Sequence, residues 1–190
     1  MTKQKIPPLF GKYDMDDVVI EDRGLARYMN LDSRQIHRHA RHANRRFKKA
    51  NLSIIERLIN NLMRTGPYTG KKMKAISVVK DAFEIIHKKT DDNPIQVLVR
   101  AIENSAPREE VTRLFLSGIH VPQAVDTAPL RRLDIALRNL GKGAISTSSG
   151  STRSVEQALA DEIIKASNDD PSSFAVNKKV EKERIAKSAR

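Results

Sequence analysis

The chain has 190 residues, of which 39% are hydrophobic, which is enough for one domain that buries a core. It carries 35 Lys+Arg against 23 Asp+Glu, a net charge of +12, so we expect a polyanionic partner, nucleic acid before an acidic membrane surface. The sequence has no cysteine, no bilayer-length apolar run and no secretory signal, which excludes disulfides, cysteine-based zinc sites and thiol nucleophiles and favours an intracellular, soluble protein.

Residues 1–50 are predicted to form a basic N-terminal extension. Residues 1–33 mix proline, glycine and acidic residues without a sustained period, as expected of a segment that orders on a partner. Residues 34–49 predict a helix with two opposite stripes. Its cationic stripe is Arg34, Arg38, Arg41 and Arg45, and its apolar stripe is Ile36, Ala40, Ala43 and Phe47. Arg46, Lys48 and Lys49 bring the segment to seven cations and no acid.

Residues 51–190 are predicted to form the core, which is mainly α. Ser53 and Glu56 have capping-box spacing at the start of a first helix that ends at Gly66-Pro67, and a second helix follows from about Lys71. The third helix begins with Asn93 as cap and Pro94 at its first position, and the fourth begins at Pro129. A Ser/Thr/Gly-rich loop is predicted at 143–154, a fifth helix at 155–167, and a sixth, basic helix at 175–190. We therefore expect a bundle of about six helices.

A protruding two-stranded β-ribbon is predicted at 110–126, between the third and fourth helices. A turn at Ser117-Gly118 would pair Leu116 with Ile119 and Phe115 with His120, because glycine supplies the positive φ that hairpin turns need. A lone ribbon is marginally stable in water, so its base is expected to pack on the bundle. Its tip is expected to insert against RNA or another protein, and comprises Leu116, Ser117, Gly118, Ile119 and His120.

Phosphate binding needs long cationic side chains on a surface, and three further groups join the seven cations of 34–49 as candidates. Lys71 and Lys72 begin a helix, where backbone N–H groups bind anions; the alternative is ordinary surface lysines. A second group is placed to clamp one RNA strand, or else to form salt bridges with Glu109, Glu110 or Asp134; it comprises Arg108, Arg113, Arg131 and Arg132. Lys178 and Lys179 lie on the sixth helix among acids, where a solvated face is the alternative.

Metal and catalytic sites are not indicated by the sequence. On a helix His37 and His39 point about 200° apart, and His39 with His42 has no carboxylate or cysteine nearby, so no metal site is expected. The run at 69–72 lacks the first glycine and the Ser/Thr of a phosphate-binding loop. No Ser/His/Asp order suggests a hydrolase. We expect neither an enzyme nor a cofactor.

Several ordered blocks resemble the universal small-subunit ribosomal protein seven family. They are ERLINNLMRTGPYTGKKMKAISVVKDA, with the family's Gly-Lys-Lys at 70–72, NPIQVLVRAIENSAPREEV, and AVDTAPLRRLDIALRNL after the ribbon. The endings LADEIIKASN and SSFAVNKKVEKERIAKSAR are similar to its archaeal branch. The resemblance covers roughly residues 50–190 and implies a helical bundle with a β-ribbon arm.

The same resemblance implies a function. It implies a cytoplasmic structural constituent of the small ribosomal subunit that binds the 3′ major (head) domain of small-subunit rRNA and nucleates head assembly. It also implies that the ribbon arm lies near the E-site tRNA and the mRNA exit path, and that neighbouring small-subunit proteins are partners. The alternative from another class is a DNA-binding regulator whose helix at 34–49 enters a major groove, although no sustained heptad seam for dimerisation is present.

Overall fold

The computed structural model describes residues 8–31, 36, 40–64, 66–116 and 118–190. Within these ranges it contains seven α-helices and one antiparallel ribbon, which confirms the mainly α prediction. The helices are α1 (Arg23–Ala26), α2 (Ile54–Leu62), α3 (Lys72–Thr90), α4 (Pro94–Ser105), α5 (Pro129–Ser148), α6 (Val155–Ser167) and α7 (Phe174–Ser188), and the strands are β1 (Glu109–Leu116) and β2 (Ile119–Asp126). None of these helices combines the length and the apolar composition that crossing a bilayer requires.

The bundle is organised around α6, which packs against α3, α4 and α5. The core that they enclose consists mostly of isoleucine, leucine, valine and alanine. Phe83 is its largest fully buried side chain, and the rings of Phe10 and Tyr13 meet it edge-on at 6.4 Å. Each large apolar side chain buried in this way contributes about 1.5–3 kcal/mol.

Both α2 and α4 start where the sequence predicts, but only α4 has the predicted capping bond. Asn93 Oδ1 accepts a hydrogen bond from the Ile95 amide at 3.1 Å, with Pro94 in the first turn, as predicted. Ser53 is the N-cap of α2 but makes no side-chain capping bond, so the predicted capping box does not form. Its partner Glu56 is buried and accepts instead from Lys72, because α3 brings a cation within reach of that carboxylate.

Residues 8–31 pack on the bundle, although the sequence predicts a segment that orders on a partner. Leu9, Met15 and Leu25 belong to the common core. The side chain of Gln96 on α4 accepts from the Val19 amide at 2.8 Å and donates to the Val19 carbonyl at 3.0 Å. The segment has no periodic signal because irregular backbone buries its apolar side chains and α4 side chains satisfy its peptide groups.

Residues 40–51 do not continue as one helix, which corrects the predicted helix at 34–49 for its described part. Two short 3₁₀ segments, Ala40–Asn44 and Lys48–Asn51, are separated by Phe47, whose φ of 61° is left-handed. Phe47 is 61% exposed and therefore does not back an apolar stripe. The helix is interrupted at Phe47 because a left-handed residue does not continue a right-handed helix. Two residues later, Lys49 donates to the Asp134 carboxylate on α5.

Helix α5 runs through the first part of the predicted Ser/Thr-rich loop and ends at Ser148. The hydroxyl of Thr147 donates to the Gly143 carbonyl at 2.9 Å, and Ser148 donates to Ile145, so the helix accommodates its polar residues. A Cβ on Gly143 would lie 2.9 Å from Cβ of Phe174, and this close approach requires glycine. The loop is therefore confined to residues between α5 and α6.

The ribbon has the predicted register, with Leu116 opposite Ile119 and Phe115 opposite His120. Gly118 has a φ of 86°, as the turn requires. The base of the ribbon is held by the C-terminal end of α7, where the Ala124 amide donates to the Ala189 carbonyl at 3.2 Å. Beyond the base the side chains are exposed, and the bundle therefore leaves most of the ribbon uncovered among the described residues.

Candidate nucleic-acid interface

One outward-facing stripe of α5 contacts both the segment at 40–51 and the ribbon. Arg131, Asp134 and Arg138 recur at i, i+3 and i+7 and so share one side of the helix. Arg131 forms an ion pair with Glu110 of β1, and the Glu110 carboxylate raises the pKa of Arg131. Asp134 binds Lys49 of the second 3₁₀ segment. The stripe therefore brings the segment at 40–51 and the base of the ribbon to the same side of the bundle.

Asp134 is the anchor of this stripe. Its carboxylate accepts from Lys49 and, at 2.8 Å, from Arg57 of α2, whose side chain is 5% exposed. Burial alone would raise the pKa of Asp134, but the hydrogen bonds from Lys49 and Arg57 outweigh it and lower that pKa. Lys49, predicted to bind phosphate, thus forms an intramolecular ion pair with Asp134.

Lys72, the second lysine of Gly-Lys-Lys, is also engaged. Its ammonium lies 2.6 Å from Glu56, a carboxylate that is 1% exposed, while Lys72 itself is 17% exposed. Lys71 is exposed and stands at the N-cap of α3, where an anion would meet the start of the helix. Two neighbouring lysines therefore have different surroundings, and Lys72 neutralises a buried charge.

The four arginines around the ribbon do not converge on one groove. Arg131 pairs with Glu110, as the salt-bridge alternative anticipated. Arg132 pairs at 2.9 Å with Asp22, an acid that this alternative did not include. Burial would raise the pKa of Asp22, but the Gly24 amide and Arg132 lower it. Arg113 lies three positions after Glu110 on β1 and so faces the opposite side of the ribbon from it.

Arg108 and Lys179 line the same pocket as Arg132, and Lys178 precedes Lys179 on α7. The side chain of Arg108 is exposed, while its backbone amide donates to Glu183 at 2.9 Å. Lys179 donates to the Asn104 carbonyl at 2.7 Å near the end of α4, and Lys178 pairs with Glu181. Both lysines are partly buried and make intramolecular bonds, which the solvated-face alternative for this helix did not include.

Five candidate cations are exposed and form no ion pair with another described residue: Arg45, Arg46, Lys48, Arg108 and Arg113. The first three are adjacent in the chain, and the Arg46 guanidinium lies 5.1 Å from the centre of the Phe47 ring. Arg34 and Arg38 fall outside the described residues, as does the side chain of Arg41. The segment Arg45–Lys48 is thus the densest unpaired positive charge among the candidates that the structure describes.

The tip of the ribbon carries exposed apolar and aromatic groups. Ile119 is 68% exposed and Phe115 is 66% exposed. The Phe115 and His120 rings lie 5.1 Å apart across the strands and form an aromatic surface. The candidates chosen from the sequence include His120 but not Phe115, although the predicted pairing of these two residues indicates this surface. Gly118 completes the turn, and Ser117 and the side chain of Leu116 lie outside the described residues.

No group of three or more His, Asp or Glu in the described ranges is arranged to hold a metal ion. His37 and His39, weighed as ligands from the sequence, lie outside those ranges. The described surface offers cations, an aromatic tip and backbone amides, and these are the groups that contact nucleic-acid phosphates and bases.

Comparisons of the whole chain with protein families and with individual proteins point to the same family. Residues 26–190 match the family model described as Ribosomal protein S7p/S5e. The chain is 57% identical over 183 residues to the "Small ribosomal subunit protein uS7" of Archaeoglobus fulgidus, covering 96% of this chain and 94% of the relative. The proteins of the same name from Picrophilus torridus and Haloarcula marismortui are 55% and 51% identical, and the matches cover 96% of this chain and 98% and 88% of those relatives.

Proposed function

This chain belongs to the S7p/S5e family of ribosomal proteins, and we propose that it binds the 3′ major (head) domain of small-subunit rRNA and nucleates assembly of the head. It is a structural constituent of the small ribosomal subunit, not an enzyme, and its partners are rRNA and neighbouring small-subunit proteins. The proposal concerns which RNA domain it binds and which surface does so.

The choice of the segment Arg45–Lys48 as the RNA-binding surface rests on one structural observation. Five candidate cations pair with an acid within the protein, namely Lys49, Lys72, Arg131, Arg132 and Lys178. Arg45, Arg46 and Lys48 are instead exposed, adjacent in the chain and without an acidic partner in the described ranges. Adjacent unpaired cations repel each other, and a polyanion removes that repulsion while its counterions are released. The Lys49–Asp134 bond holds this segment against α5, so its charges are presented from a fixed support.

We further propose that the ribbon tip lies near the E-site tRNA and the mRNA exit path. The exposure of Phe115 and Ile119 supports a partner outside the bundle, because two large apolar side chains at a protruding turn gain stability when another molecule covers them. The adjacent Phe115 and His120 rings, tilted by 54°, suit an unpaired nucleobase, which presents a flat apolar face.

The experiment that tests the rRNA assignment measures binding of the full chain to a head-domain rRNA fragment and to an unrelated structured RNA of equal length. Salt is titrated for both, because phosphate contacts make affinity fall linearly with the logarithm of salt concentration. The proposal predicts a clear preference for the head-domain fragment at every salt concentration. Equal affinities for the two RNAs would refute it.

The DNA-binding alternative has no supporting observation in the described part of the chain. Residues 40–51 form two 3₁₀ segments around a left-handed Phe47, and a broken segment of this kind is not the continuous recognition helix that lies in a major groove.

A further inference from the structure

A small cavity opens beside the Asp134 anchor, between the segment at 40–51, α2 and α5. Its volume is about 200 Å³, and the residues that matter for its chemistry are His42, Lys49, Arg57, Arg64, Asp134 and Arg138. It is smaller than the roughly 300–1,000 Å³ of a typical small-molecule site. A cavity of this size suits a single chemical group rather than a whole ligand.

The wall of the cavity carries more positive than negative charge. Lys49, Arg57, Arg64 and Arg138 contribute four cations, and Asp134 is the acid among the lining residues. The Asp134 carboxylate is already occupied by Lys49 and Arg57, so it does not neutralise the other two arginines. Arg64 and Arg138 are both exposed and have no ion pair with another described residue.

His42 is another residue that lines the cavity. Its Nδ1 atom is shielded from solvent and has no hydrogen-bond partner among the described residues. A buried polar atom without a partner is costly, so the imidazole is unsatisfied as it stands. Two guanidinium groups without an ion pair therefore line the same cavity as this imidazole.

We infer that this cavity holds one phosphate group of an RNA strand, contacted by Arg64 from α2 and Arg138 from α5. A phosphodiester accepts hydrogen bonds, carries one negative charge and is small, which matches donors without acceptors in a confined positive space. The Arg57–Asp134 bond fixes α2 against α5, so the two arginines are held on rigid helices before RNA arrives. The inference rests on the proposed rRNA binding and adds one specific contact to it.

The position of the cavity agrees with this assignment. Arg138 lies one turn beyond Asp134 on the α5 stripe, and the unpaired segment Arg45–Lys48 lies immediately before Lys49 in the chain. A strand that follows this segment passes the mouth of the cavity, where one of its phosphates enters. Neither Arg64 nor Arg138 was a sequence candidate, although Arg138 has the i+7 spacing from Arg131.

The first experiment compares Arg138→Gln with Arg100→Gln in the full chain. Arg100 is an exposed arginine on α4, 3.8 Å from Asp92 and outside the candidate surface, so both variants lose the same charge. Affinity for the head-domain rRNA fragment is measured over a salt series, and thermal melts check the fold. Losing one phosphate contact predicts an affinity about ten-fold lower and a log–log salt slope shallower by about 0.7–0.9 for Arg138→Gln. Arg100→Gln should behave as wild type, and equal effects of both variants overturn the inference.

The second experiment identifies the phosphate. The RNA fragment is assembled from synthetic strands in which one linkage at a time is a neutral methylphosphonate. The inference predicts one linkage whose neutralisation weakens binding to wild type but has no further effect on Arg138→Gln. If an abasic position behaves in this way instead, the cavity holds a base, and the phosphate assignment is overturned.

The two proposals fail in distinguishable ways. If wild type prefers the head-domain RNA but no linkage is coupled to Arg138, rRNA binding stands and the cavity assignment falls. If inorganic phosphate binds wild type and not Arg138→Gln while no linkage is coupled, the cavity takes a free anion, and the RNA assignment is again overturned. If wild type shows no RNA preference at all, the proposed function itself falls.

Discussion

The guanidinium of Arg57 on α2 donates to the carboxylate of Asp134 on α5 across 2.8 Å, and it is one of the buried contacts that join these helices. Lys49 adds a second bond to the same carboxylate, so one acid fixes two helices and the cationic segment. The candidate interface therefore depends on a residue that need not touch RNA itself.

Replacing Asp134 with asparagine is expected to destabilise the protein by about 3 kcal/mol, because the buried Arg57 guanidinium loses its counter-ion. Chemical unfolding at neutral pH measures the change. The matched control is Asp161→Asn, which removes an acid from the more exposed Lys89 pair and should cost less than about 1 kcal/mol. Equal costs for the two variants would show that the buried pair has no special role.

The pH dependence of stability follows from the same carboxylate. The pKa of Asp134 is lowered in the folded protein, so its contribution is present above the ordinary carboxyl pKa of about 3.9 and is lost as pH falls through the lowered pKa. Wild type should therefore lose more stability than Asp134→Asn when the pH is reduced from neutral to below 3.9. Parallel acid unfolding curves for the two proteins would contradict this assignment.

Lys71 and Lys72 should respond differently to substitution. Lys72→Ala leaves the buried Glu56 carboxylate without its ammonium partner and should reduce the free energy of unfolding by about 3 kcal/mol. Lys71→Ala removes an exposed cation at the start of α3 and should mainly weaken RNA binding and its salt dependence. Unfolding and RNA titrations on both variants separate the two effects. A stability loss confined to Lys71→Ala would reverse the roles.

The end of α7 should control the rigidity of the ribbon. Deleting Ala189 and Arg190 removes the acceptor of the Ala124 amide and the partner of Glu109. Hydrogen exchange at the Ala124 amide should become faster, while amides of α4 and α6 keep their protection because the core is unchanged. Unchanged exchange at Ala124 would mean that the ribbon base is held by other contacts.

Deleting the tip, Leu116–His120, should leave incorporation into subunits largely intact and disturb tRNA occupancy at the exit site. The tip projects from the bundle, and the unpaired cations of Arg45–Lys48 lie on another element. Subunit incorporation and exit-site tRNA binding are measured on the same preparation. Complete failure of the deleted protein to enter subunits would contradict this division of roles.

Local patterns in the sequence were sufficient for the ribbon register and for the Asn93–Pro94 helix start. Both depend on residues near each other in the chain, namely a turn glycine and a cap followed by proline. The packing of residues 8–31 on the bundle could not be predicted from the sequence. The apolar side chains of this segment have no regular period, and its peptide groups bond to distant side chains on α4. The helix break at Phe47 could not be predicted either, because the partner of the nearby Lys49 is Asp134, which lies far along the chain on α5.

The sequence names candidate cations for the site but not the pairs that they form within the protein. The sequence shows where the candidate cations lie along the chain, but it does not indicate that Lys72 neutralises Glu56 or that Arg132 pairs with Asp22. These pairs join residues that tertiary packing brings together. Charge density along the chain therefore predicted the class of partner, while the division into paired and unpaired cations needed the fold.

The most direct test of the central claim is crosslinking of the protein to RNA in intact small subunits, mapped to both residue and nucleotide. We predict crosslinks from Arg45, Arg46 and Lys48 to the head domain of the rRNA, and crosslinks from the tip residue His120 or its neighbour Phe115 in ribosomes carrying E-site tRNA. Crosslinks concentrated instead on Lys89 and Arg100, on the exposed surfaces of α3 and α4, with none from Arg45–Lys48, would contradict it.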